Sequence, residues 1–408
     1  MEAPVPISRS PSPWLFRYAT LVALATLGLV CIGGLVTSKG VGMAVPDWPT
    51  SFGYGMFALP LSMWMTGGVF HEHTHRVWAS GVGLLVVFLT RWTAGHASRK
   101  PLAWVGLIEV LGGLGLMGVN PLWKGEAHFL LGIGGVVLAA AAVGFRNAPA
   151  PVLSVRLAWA AFALVQLQGS LGGLRVVLDS WAIGGTTGGV VFGMIHGCLG
   201  QVFLVLVACL ALSLSRWYPT WGRERSEVPG ARWVFLGTAL VFGQLLLGLW
   251  MRHQHAGLAI PDLPLAYGQW WPRTDAESLL RYASRREGVD VITALQVHMH
   301  MLHRINAVLA LCSIVLAFRA SRAHSRGHPL RRLGTAWLHL VTVQFGLGLL
   351  TVLTDRAADI ATAHVAVGSL TLVAGCWFCW SVGAHRVHRR GPVTDIVSPS
   401  LPHTVPVR

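Results

Sequence analysis

Ten long apolar stretches recur along the 408 residues, near 18–37, 71–91, 102–119, 127–145, 157–175, 190–214, 233–250, 291–317, 333–353 and 361–383. Each approaches the roughly 20 residues that a helix needs to cross about 30 Å of hydrocarbon. In lipid every backbone N–H and C=O must be satisfied internally, and a helix does this within one segment. The chain is therefore expected to be an all-α polytopic membrane protein of about ten transmembrane helices. Composition agrees: 12% of residues are charged, against about 25% in soluble chains. No soluble domain of useful size is left between the stretches. The 48 glycines suit helices that pack closely in a membrane.

A net charge of +15 would suggest nucleic acid if position were ignored. With both termini cytoplasmic, 20 of the 31 basic residues fall in short inner segments. That is the positive-inside pattern, so the charge reads as topology in a bacterial-type inner membrane, with the lipid bilayer as partner and no nucleic acid. The first stretch is long and lacks a clear cleavage site, so it reads as a span and not as a signal. Cys31, Cys198, Cys209, Cys312, Cys376 and Cys379 all fall in expected helices, which predicts no structural disulfide. The Cys376–Cys379 pair reads as packing.

The sequence repeats itself. GGLVTSKGVGMAVPDWPTSFG (33–53) matches GLWMRHQHAGLAIPDLPLAYG (248–268), and EHTHR (72–76) matches HMLHR (300–304). LVQLQGSLGGLRVVLD (164–179) matches LVTVQFGLGLLTVLTD (340–355), and GMIHGCLG around His196 matches ATAHVAVG around His364. Four blocks in one order imply two related four-helix units. The first spans 1–214 and the second 233–384, joined by an inner linker at 215–232 and followed by a cytoplasmic tail, 385–408. From His75 to Gln168 is 93 residues, but from His303 to Gln344 only 41. The surplus is expected to be an inserted helical hairpin at 102–150. Both units then run in the same direction, as parallel repeats.

His75, His196, His303 and His364 occupy matched positions. Ionisable residues inside a membrane are costly and tend to be functional. Two imidazoles facing each other across a bundle suit the two axial positions of a haem iron. Packing histidines are the bland alternative, and zinc suits the spacing poorly. His128 also sits at an outer helix end, but in the hairpin and outside the repeat. Arg76 and Arg304 follow two of the histidines and need anionic partners; a haem propionate would serve, and snorkelling to headgroups is the alternative. Asp47 and Asp262 lie between prolines, where they either lid a pocket or cap the next turn. Glu72 precedes His75 by one helical turn, and its counterpart in the second unit is His300. That asymmetry suggests a reactive first half with Glu72 as the catalytic group.

Together, Glu-x-x-His-Arg at 72–76, the two Pro-Asp-x-Pro loops, Gln-Gly-x-Leu-Gly-Gly at 168–173 and the paired histidine helices resemble haem A synthases. The likeness covers roughly 18–95 and 150–384. It implies an eight-helix core in two four-helix halves. It also implies oxidation of the C8 methyl of haem O to the formyl group of haem A, a haem-dependent step in cytochrome oxidase assembly. A haem b would be held by His303 and His364, with His75, His196 and Glu72 forming the haem O site. The partners implied are the haem O-producing enzyme, an unidentified electron donor and cytochrome oxidase assembly factors. The extra hairpin and the lack of an outer-loop cysteine pair depart from the family's pattern. A non-catalytic di-haem transmembrane cytochrome b explains four matched histidines equally well but not the Glu72 asymmetry. A transporter is a third reading, because parallel repeats occur there too.

Overall fold

The computed structural model describes residues 12–119, 124–145, 150–183, 186–217, 230–285 and 291–389, with side chains described as far as residue 383. Residues 218–229 of the expected linker and 390–408 of the expected tail lie outside the described residues, as do Arg9, Arg146, Arg223, Arg225, Arg390 and Arg408.

The described chain is almost wholly helical. In order it runs α1 (Pro13–Ser38), α2 (Leu61–Trp64), α3 (Gly67–Ala94), α4 (Arg99–Val119), α5 (Lys124–Ala142), α6 (Val152–Val177), α7 (Gly188–Ser213), α8 (Ala231–His253), α9 (Ala276–Ser284), α10 (Ala294–Ser321), α11 (Pro329–Leu353) and α12 (Ala358–Arg389). A two-residue antiparallel pair, Ala182–Ile183 with Thr186–Thr187, precedes α7.

Nine helical stretches among the described residues are long and apolar enough to cross a membrane. One, Gly67–Val119, runs 53 residues, about 80 Å if straight at 1.5 Å per residue, far more than a bilayer needs. It is two helices, α3 and α4. Gly95 separates them at φ 61° and ψ −148°, a backbone region open essentially to glycine alone. The ten expected spans are thus all present as helices. The buried Arg91 secures the turn, donating to Gly95 O at 2.6 Å and to Val143 O at 2.7 Å beyond the end of α5.

Local sequence sets the helix starts. Thr293 and Gln296 form a reciprocal capping box at α10, Thr187 caps α7, and Pro329 opens α11, where it needs no N–H partner. The short α2 and α9 lie in the long connections 39–66 and 254–293; α9 is amphipathic and is capped by Asp275, which accepts from the Ser278 amide at 3.0 Å.

Helices α1, α3, α6 and α7 pack as a closed ring, each against two of the others, and α8, α10, α11 and α12 pack as a second. α1 and α7 meet α12, and α7 also meets α8, so the rings share one seam. Each ring has its own apolar core. In the second, Trp337 is fully buried and donates to Thr371 O at 2.9 Å. The α4–α5 hairpin zips through small residues: a Cβ at Gly106 would lie 2.8 Å from Gly134 O, and one at Gly113 2.8 Å from Ala127 O. The hairpin docks on the first ring through α5 against α3.

Candidate functional site

The four matched histidines come from diagonally opposite helices of their rings: His75 on α3 and His196 on α7, His303 on α10 and His364 on α12. The His75 and His196 rings have centroids 6.5 Å apart and planes inclined at 72°. Two metal–imidazole bonds of about 2 Å each, plus the ring radii, fill a gap of that size. His303 and His364 are likewise close enough to interact electrostatically.

The other diagonal of each ring supplies glycines that make room for the imidazoles. A Cβ at Gly33 of α1 would lie 3.1 Å from His75 Nε2, and one at Gly172 of α6 would lie 3.4 Å from His196 Cε1. In the second ring a Cβ at Gly248 of α8 would lie 3.3 Å from His303 Cε1, and one at Gly348 of α11 would lie 3.1 Å from His364 Cε1. Gln168 donates to His196 O at 3.1 Å, while the matched Gln344 sets its Nε2 3.3 Å from His364 Nε2. Gln244 donates to His303 O at 3.0 Å. The four glycines, Gln168 and Gln344 sit inside the repeated blocks, which was the signal for them, while Gln244 lies just ahead of its block; their role becomes visible only once the helix pairing is known.

All four histidines line one continuous cavity of about 1900 Å³, roughly twice the upper range of single small-molecule pockets. Its wall carries Lys39, Lys124, Arg175, Arg252 and Arg356, and among the described residues Glu72 is its one carboxylate. A space of this size and sign suits bulky, apolar ligands with anionic groups. Nδ1 of His196, His303 and His364 is buried with no hydrogen-bond partner among the described residues. Paired imidazoles, glycine cradles and orphaned ring nitrogens are the donor set that a bis-histidine haem requires.

The long connections 39–66 and 254–293 are clamped onto the rings by the residues that follow the histidines. Arg76 is buried and donates to Asp47 O at 2.5 Å, Val45 O at 2.8 Å and Thr50 O at 3.1 Å, and it pairs with Glu72 Oε1 at 2.7 Å. Arg304 donates to Asp262 O at 2.8 Å, Leu265 O at 3.0 Å and Ile260 O at 3.2 Å. Both guanidinium groups find oxygen partners within the chain itself. Loop carbonyls occupy their terminal nitrogens, because a loop folded onto a membrane helix has few other donors for those carbonyls. Arg76 lines the cavity together with Arg175, Arg252 and Arg356, whereas Arg304 does not.

The alternatives for Asp47 and Asp262 resolve toward capping. Asp47 accepts from the Phe52 and Gly53 amides at 2.6 and 2.9 Å, and Asp262 accepts from the Tyr267 and Gly268 amides at 2.7 and 3.0 Å. Both turns hold two successive residues at positive φ, Phe52–Gly53 and Tyr267–Gly268. Burial alone would raise the Asp47 carboxyl, but the Gly53 amide, the Thr50 hydroxyl and the Phe52 amide outweigh it and hold the group below the ordinary carboxylate range.

Glu72 is buried, and its second oxygen accepts from the Val45 amide at 2.9 Å. In the second ring the Ile260 amide donates to His300 Nδ1 at 3.3 Å. Glu72 and His300 thus each accept an amide of the matched loop, while Glu72 alone of the two lines the cavity. His73 also serves the first loop, 3.0 Å from Ser51 Oγ. The six cysteines are free, and Cys379 lies 3.3 Å from Thr238 Oγ1 as an ordinary packing residue.

The model of the cytochrome oxidase assembly protein family (COX15-CtaA) matches residues 127–375, more than half of the chain. This chain belongs to that family. Full-length relatives of the family resemble it along almost all of its length. The heme A synthase of Shewanella oneidensis is 23% identical over 378 residues, covering 90% of this chain and 96% of that protein. The heme A synthase of Caulobacter sp. is 26% identical over 383 residues, covering 92% and 96%. That of Roseobacter denitrificans reaches 30% over 224 residues, covering 51% and 54%. The family match begins inside α5, so Glu72 and His75 lie ahead of it.

Proposed function

We propose that this membrane protein acts in haem A biosynthesis, converting the C8 methyl of haem O to the formyl group of haem A for cytochrome oxidase. The observation that carries this reading is the cavity reached by two imidazole pairs, one per ring, in a family whose relatives are named heme A synthases. The two rings are two related units, 1–214 and 233–384. His303 and His364 hold a resident haem b, and His75 and His196 hold the substrate haem. When bound, haem b supplies redox chemistry that no side chain here provides.

The chain's own residues bind, orient and shield. Gly33, Gly172, Gly248 and Gly348 fix the imidazoles, and Arg175, Arg252 and Arg356 meet ligand carboxylates. Glu72, ion-paired and presented to the cavity one turn before His75, stabilises positive charge that develops on the substrate. Conversion of the methyl to the formyl group is a four-electron oxidation, R–CH3 + H2O → R–CHO + 4 H+ + 4 e−, whose electron acceptor would lie outside this chain. The protein sits in a bacterial-type inner membrane with both termini cytoplasmic, and takes its substrate from the haem O-producing enzyme.

Pigment extraction from membranes expressing the chain together with a source of haem O tests this reading. Haem A and haem O are expected beside haem B. Haem B alone would instead identify a di-haem electron carrier, and protein purified without haem would favour a transporter.

A further inference from the structure

A second, lipid-facing groove of about 460 Å³ lies between α7 and α8 at the level of His196. Ile195, Cys198, Leu246, Leu249 and Trp250 line it. Ile195, Leu246 and Trp250 are about 40% exposed, as side chains facing hydrocarbon are. Cys198, Leu246 and Leu249 also line the central cavity. Groove and cavity are therefore separated by single side chains. The closest of these contacts is Leu249 over Gly197: a Cβ at Gly197 would lie 3.1 Å from Leu249 Cδ1 and 3.2 Å from Cδ2. Leu249 rests on bare α7 backbone and can leave that notch by a change of rotamer, without moving a helix.

At the loop end of the rings, built contacts hold the connections in place. Arg76 and Arg304 each hold three loop carbonyls, and charge-assisted bonds of this kind are among the stronger ones. A largely apolar macrocycle dissolves in the bilayer, so its path of least resistance crosses the apolar seam. We infer that the α7–α8 seam is a lateral gate, with Leu249 over Gly197 as its leaf, through which an iron porphyrin passes between the bilayer and the cavity. This inference rests on the haem reading above.

The test uses the full chain, freed of haem and held in lipid nanodiscs, with haem B supplied in the lipid. Haem uptake is followed by its Soret absorbance. Leu249→Ala is expected to take up haem several-fold faster than the parent. Leu249→Trp is expected to be about tenfold slower, the effect of a barrier raised by one factor of ten, while reaching the same final occupancy. Leu246→Trp, on the lipid side of the leaf, repeats the plug should Leu249→Trp fail to insert. Alkylation of Cys198 by a lipid-soluble maleimide, read by mass spectrometry of its peptide, should be faster in Leu249→Ala and suppressed in haem-loaded protein. Uptake rates unchanged in the open and plugged variants, at full occupancy, overturn the gate and leave the haem reading standing. A parent protein that takes up no haem overturns both.

Discussion

The Val45 amide donates to Glu72 Oε2 at 2.9 Å while Arg76 grips Oε1 at 2.7 Å, so the first outer loop hangs from a carboxylate that also faces the cavity. Glu72→Gln keeps an acceptor for Val45 and removes the charge. Losing one well-placed electrostatic contribution typically costs about 100- to 1000-fold in rate. The variant is therefore expected to insert, to keep the haem held by His303 and His364, and to accumulate haem O or a hydroxylated intermediate. Normal haem A output at normal expression would remove Glu72 from the chemistry and leave it a loop anchor only.

His303→Ala and His364→Ala should each abolish the low-spin haem b signal, because a methyl group cannot occupy an axial position. The glycines provide a finer test. Gly348→Val would push branched carbon into a site where even a Cβ lies 3.1 Å from His364. Overpacking of this kind costs about 1–3 kcal/mol, so haem b occupancy should fall by about tenfold with the histidine intact. An unchanged spectrum in Gly348→Val would show that His364 does not need this cradle.

The spans were legible because hydropathy and length are strong, local signals. Their ends ran past the apolar stretches because helices such as α3 and α10 continue into polar residues beyond the hydrocarbon. The histidines stood out as matched embedded ionisable groups, and their placement on diagonal helices follows from ring packing that no single segment encodes. The partners of Arg76 and Arg304 were not legible in the sequence for a physical reason. Sequence shows that an embedded cation needs oxygen partners, but it does not show that a folded-back loop offers its own carbonyls. His300 stood in for Glu72 for the same reason: acceptor geometry, not residue type, is what the loop amide selects.

Arg304→Ala removes three donors from the second loop at once. Each is a charge-assisted bond worth about 1.5–3 kcal/mol, part of which water replaces at this half-buried site. Limited proteolysis from the outer side should cut within 254–293 far faster than in the parent. Arg304→Lys should be intermediate, because one ammonium cannot span the three carbonyls as a planar fork does. Equal cleavage in all three proteins would mean that the clamp does not hold the loop.

Asp47 gives the first loop a defined pH response. Its carboxyl is held below the ordinary range in the folded loop, so it contributes stability above the unfolded value of about 3.9. That contribution is lost as pH falls through the lower, folded value. Protection of 39–66 from acid proteases should therefore persist at pH 4 and disappear at more acid pH. Asp47→Asn should show weaker protection with no such step. A parent that loses protection well above pH 4 would place the responsible group elsewhere.

The hairpin offers the last prediction. As an insertion between repeated blocks, the hairpin carries none of the repeat-related histidines, so a deletion joining residue 97 to 151 removes none of them. The hairpin's packing nevertheless ties it to one ring. Lys124, His128 and Phe129 of α5 line the cavity, and Phe129 meets Trp48 of the first loop with ring centroids 5.2 Å apart. Gln166 of α6, another wall residue, donates to Glu109 of α4 at 2.6 Å. Among the described residues, the packing of the hairpin is against the first ring. The deletion should therefore keep the low-spin haem of His303 and His364 while losing most of the pigment bound by His75 and His196, together with haem A formation. His128→Ala in the intact chain should leave both haems in place, because on the proposed reading the repeat-related pairs would supply two axial ligands each. Loss of the second-ring haem on deletion, or of any haem in His128→Ala, would mean that α5 contributes a ligand and that the pairing of the four histidines is wrong.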